Sequence, residues 1–85
     1  MSDEHEAFVR AREAHQKAEA AFDKAFDKVA WFATQSRPVD ADGHFYISEA
    51  ERKAGERKAR TAEVLVKARV RLRDAALAWA ESEIA

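Results

Sequence analysis

The sequence predicts an all-α fold: an antiparallel two-helix hairpin with an alanine-rich, coiled-coil-like seam, of a kind that dimerises into a four-helix bundle. Three observations lead there. Phe8, Ala11, His15, Ala18, Phe22, Ala25, Val29 and Phe32 recur at alternating three- and four-residue steps, the spacing that keeps one side of a helix against a partner. Ala54, Lys58, Thr61, Leu65, Ala68, Leu72, Ala75 and Trp79 repeat that spacing in the second half. Pro38, the only proline, lies between the two rows, so they belong to separate helices folded back on each other.

The first helix is expected over about residues 3–36. Ser2 can accept from the free amides of the first turn, and Asp3, Glu4 and Glu6 place negative charge at the positive end of the helix dipole. Pro38 disfavours helical geometry at Arg37 and so ends the run near Ser36, after roughly 50 Å of helix. Residues 37–47 form the connection, with an Asp42-Gly43 turn followed by the apolar patch His44-Phe45-Tyr46-Ile47. Ser48 and Glu51 make a capping box, which starts the second helix at about 48 and carries it to about 84, weakened only at Gly55. The whole chain, 1–85, reads as a single helical-hairpin domain.

Folding the chain about residues 41 and 42 pairs positions whose numbers sum to about 83. Phe8 then meets Ala75, Ala11 meets Leu72, His15 meets Ala68, Ala18 meets Leu65, Phe22 meets Thr61 and Val29 meets Ala54. Large faces small, which lets the layers interdigitate at native density. Ala7, Ala14 and Ala21 flank the seam and permit close approach of the helix axes. Lys58 falls opposite Ala25 and is expected to carry its ammonium past the seam to water.

The second helix is apolar on two sides. Val66, Val70, Leu77 and Ile84, with Ala59, Ala62 and Ala80 nearby, form a stripe roughly opposite the seam. A hairpin of 85 residues has one thin shared seam, so this stripe is expected to pack against a second copy or another protein. A twofold dimer making a four-helix bundle is the simplest arrangement.

Fifteen basic and sixteen acidic side chains nearly cancel, so overall charge argues for neither nucleic acid nor a membrane surface as partner. Without cysteine there is no disulfide framework and no thiolate metal site. No apolar run approaches the length of a membrane span, and Met1-Ser2-Asp3-Glu4 is acidic where a secretory signal would be basic, so the expected location is cytoplasmic.

Groups with catalytic or metal chemistry are sparse. Asp40, Asp42, Gly43 and Glu49 fall at positions 3, 5, 6 and 12 of an EF-hand frame, but Pro38 stands where the first carboxylate belongs, and an ordinary Asp-Gly turn accounts for the segment. His15 has Glu19 one turn later, yet the second helix contains no histidine to complete a di-iron site. There is no phosphate-binding glycine loop, no cysteine nucleophile and no serine with an acid-base relay. No catalytic residue, cofactor or metal is expected, and the protein is read as non-enzymatic.

Arg52 to Arg73 contains nine basic residues against Glu56 and Glu63, and Lys53, Arg57, Arg60, Lys67 and Arg71 share one stripe roughly 27 Å long. That stripe reads first as a solvated face partly paired with acidic residues of the first helix or a second copy. Its functional reading is a track for a phosphate backbone or an acidic protein. Trp31, Phe45, Tyr46 and Ile47, with Phe26 at the seam border, gather at the loop end, either as a cap folded over Phe32 or as a protein-binding patch. The function expected from these features is a small protein-protein interaction module, an adaptor, regulator or inhibitor, with a second copy and another protein as partners and no membrane. The alternatives are a nucleic-acid-binding regulator using the basic stripe and a structural subunit of a larger assembly such as a phage particle.

Overall fold

The computed structural model describes residues 2–35 and 39–84, which form two helices packed against each other: α1, Asp3–Ala33, and α2, Glu49–Ile84. α1 starts where its cap chemistry places it, since Ser2 Oγ accepts from the His5 amide at 3.1 Å. It ends three residues before the expected Ser36. The Thr34 hydroxyl donates to the Trp31 carbonyl at 2.7 Å, while the Thr34 and Gln35 amides make tight three-residue bonds to Trp31 and Phe32. These local partners satisfy the last carbonyls before the proline is reached. Ser36, Arg37 and Pro38 lie outside the described residues.

The connection is a miniature turn held by one carboxylate. Asp40 Oδ1 accepts from the Asp42 and His44 amides, both at 2.9 Å. The Asp40 amide donates to the His44 carbonyl, and Val39 bridges Phe45 in antiparallel fashion. Gly43 sits at φ +82°, a left-handed geometry that only glycine adopts without strain, although a Cβ there would meet nothing within 4 Å. Ser48 then caps α2, its hydroxyl oxygen accepting from the Glu51 amide at 3.2 Å.

All sixteen seam positions read from the sequence face the partner helix or its margin; none is exposed. Ala18, Leu65 and Ala68 form the buried cluster with Phe22 packed on it, as the expected register requires. Two polar seam residues are accommodated locally. Thr61 turns its hydroxyl back to the carbonyls of Arg57 and Lys58, at 2.9 and 3.0 Å. Lys58 does leave the seam, but its ammonium lies 4.9 Å from the centre of the exposed Phe26 ring, a cation-π contact. At the open end Trp79 packs on His5 and Phe8, with ring centroids 4.5 and 5.1 Å away, and its indole N–H donates to Glu83 at 3.1 Å.

This seam is thin. Among the described residues only Ala18, Ala25, Ala54, Leu65 and Ala68 are buried, and four of these are alanines. The molecule is a rod of 70 × 16 × 16 Å with a radius of gyration of 19.5 Å, where a compact chain of this length would have about 12 Å. Its accessible surface is 6662 Å², against about 5,100 Å² for a compact monomer of the same mass. Leu65 is the one large side chain fully within the seam, so Leu65→Ala should cost about 2–4 kcal/mol in urea unfolding followed by circular dichroism. A cost below about 0.5 kcal/mol would mean that the helices do not pack in this register.

Candidate functional site

Three surfaces on different sides of the rod carry what the sequence singled out. The outer stripe of α2 is uncovered: Val66, Val70, Leu77 and Ile84 are all exposed, Ile84 to 87%. Helix periodicity sets them away from the seam row, so α1 cannot reach them.

The loop end does not close into a cap. Phe45 is 70% exposed, and Trp31, Tyr46, Ile47, Val39 and Phe26 are also open to solvent. Phe32 is instead covered from its own helix: the Trp31 ring meets it edge-on at 4.9 Å, and the Lys28 ammonium lies 5.5 and 5.7 Å from the two ring centres. The Asp40 turn explains why the aromatics stay out. It fixes a seven-residue hairpin that ends at Phe45, leaving Tyr46 and Ile47 on an irregular segment that runs to the Ser48 cap.

The third surface is a groove along one side of the seam, assembled from both helices. Three shallow cavities of ≈ 390, 270 and 510 Å³ follow one another along it. Its floor is Ala11, Ala14, Ala18, Ala21 and Ala25 of α1 with Ala50, Ala54 and Ala68 of α2. The α2 wall is the basic stripe, since Lys53, Arg57, Arg60, Lys67 and Arg71 all line these cavities. The expected pairing of this stripe with acidic residues of α1 is not found. Among the described residues Lys67 pairs only with Glu63 of its own helix, at 3.3 Å, and Lys53, Arg57, Arg60 and Arg71 make no ion pair. The α1 wall adds Lys24 and Lys28, which sequence reasoning did not connect to the stripe. The available signal was the seven-residue spacing of Arg10, Lys17 and Lys24, interleaved with Ala7, Ala14 and Ala21.

Of the groups the sequence offers as metal ligands, Asp40, Glu49 and His15 have side-chain partners within the chain. Asp40, Asp42 and His44 bring ligand atoms within 4.8 Å of one another, but all three are exposed and Asp40 is occupied in building the turn. Glu49, the last position of the EF-hand frame, turns instead to Arg52, which also binds Glu56. The hydrogen bond that Arg52 donates to Glu49, and next the charge of Glu56, raise the Arg52 pKa above its ordinary value. His15 lies 3.6 Å from Glu19 as a boundary pair on α1.

No known protein family matches this chain, nor does any curated protein or solved structure. Among the described residues no helix is long and apolar enough to cross a membrane.

Because Trp31, Phe45 and Tyr46 are exposed, replacing all three by alanine should change the unfolding free energy by no more than about 1 kcal/mol. A loss of about 3 kcal/mol in urea titration would restore the end-cap reading.

Proposed function

We propose that the protein is a small non-enzymatic interaction module that acts as an adaptor, regulator or inhibitor of a partner protein, and that it works as a homodimer. One observation carries this reading: Val66, Val70, Leu77 and Ile84 stand exposed on α2, on a hairpin whose own seam buries little besides alanine. Burying half of each such side chain contributes roughly 1 kcal/mol, so eight of them across a twofold interface offset much of the entropy lost on association. A four-helix bundle joined through this stripe would leave the loop end and the basic groove at its periphery, free for a different protein.

The aromatic loop end supports the second half of the proposal. Trp31, Phe45 and Tyr46 are the residue types that anchor protein interfaces, and here each is more than half exposed.

Light scattering over a micromolar-to-millimolar series tests the self-association. The mass should approach twice 9.6 kDa, and Val70→Glu with Leu77→Glu should return it to the monomer with helicity retained. A monomer at every concentration would remove the dimer and leave the stripe to a heterologous partner.

A further inference from the structure

We propose that the alanine-floored, basic-walled groove seats an acidic amphipathic helix of a partner protein. This rests on the reading of the chain as a protein-interaction module, but uses neither the outer stripe nor the loop end. On α2 the row Lys53, Arg57, Arg60, Val64, Lys67, Arg71 advances by alternating steps of four and three, so a second coiled-coil row runs beside the buried one. Val64 stands at its centre and is exposed, an apolar contact point between Arg60 and Lys67. Across the groove Ala14 and Ala21 of α1 present only methyl groups, and Lys24 and Lys28 close the wall toward the loop.

Each feature fits a third helix. Small residues on the floor let its axis approach closely, and Val64 offers the apolar contact such a seam needs. From Ala11 to Lys28 the groove runs roughly 26 Å, the length of about five helical turns. The charge selects the occupant: the walls carry seven cations, and the acidic residue in ion-pair contact with them is Glu63, which reaches Lys67 alone. Glutamates flanking a small-residue stripe would meet these cations while the stripe meets the floor. A nucleic acid would use the walls and leave the apolar floor uncovered, and among the described residues no aromatic side chain lines the groove to stack on bases.

The test is fluorescence anisotropy with the intact chain and a labelled 18-residue peptide carrying Ala and Leu at alternating three- and four-residue steps and Glu on both flanks. The comparison probes are a scrambled peptide of the same composition and an 18-nucleotide DNA, single-stranded and duplex. The patterned peptide should bind at least about tenfold more tightly than the scrambled one, and its affinity should fall as salt rises. Arg57→Glu with Arg60→Glu and Lys67→Glu should weaken it at least about tenfold. Ala14→Phe with Ala21→Phe should weaken it as much while every charge is kept, because the floor is then filled. Arg69→Glu with Arg73→Glu, on the other side of α2, should leave it within about twofold. Circular dichroism confirms that each variant stays helical. Equal binding of the scrambled peptide, tighter binding of either DNA, or no effect of filling the floor would overturn the groove as a helix seat. Any of these would leave the dimer and the loop-end contact standing, whereas loss of the dimer alone would leave the groove standing.

Discussion

The contact on which the rest of the structure depends is the pairing of Leu65 with the small side chains around Ala18. One branched side chain fills the space left by alanines on the facing helix, and that complementarity sets the register of the hairpin. Slipping by half a heptad would set Leu65 against Phe22 and Leu72 against His15, separating the axes and leaving the alanine layers empty. The choice of alanine has a second effect. It brings the helices close together but buries little surface, so the molecule is a long rod with more exposed area than a compact monomer.

The same seam creates the surfaces on its flanks. Because the helices meet through alanine, the space beside them is a shallow trough and not a ridge of large side chains, and the cations of the next helical row stand along its edges. α2, longer than α1 and apolar on two sides, turns its second stripe outward. The turn at Asp40 satisfies its own backbone and leaves its aromatic neighbours free. Outer stripe and groove thus lie on different sides of the rod, while the groove meets the loop end at Lys28, whose ammonium also contacts Trp31.

Features governed by local periodicity were legible in the sequence. The sixteen seam positions, the Ser2 and Ser48 caps, the exposed outer stripe and the α2 basic row all follow from helical spacing and cap chemistry. What was missed required knowing how the two helices sit side by side. Lys24 and Lys28 join the basic row only across the seam, and His5 becomes a packing partner of Trp79 only when the two ends meet. The last turn of α1 was misjudged because Pro38 dominates the sequence there, whereas the Thr34 hydroxyl ends the helix earlier. Of the two readings of the loop end, the cap over Phe32 fails because Trp31 and Lys28 already occupy that face.

The most direct test of this account is a nuclear Overhauser experiment on an equimolar mixture of isotope-labelled and unlabelled protein. The account predicts that the Leu65 methyls contact the Ala18 methyl and the Phe22 ring, and that these contacts arise within one molecule. Contacts from Leu65 to Ala11 or Ala25 in their place would mean a slipped register, and contacts arising between molecules would mean that each seam is built from two chains. Either result would contradict the hairpin on which the stripe, the groove and the loop end depend.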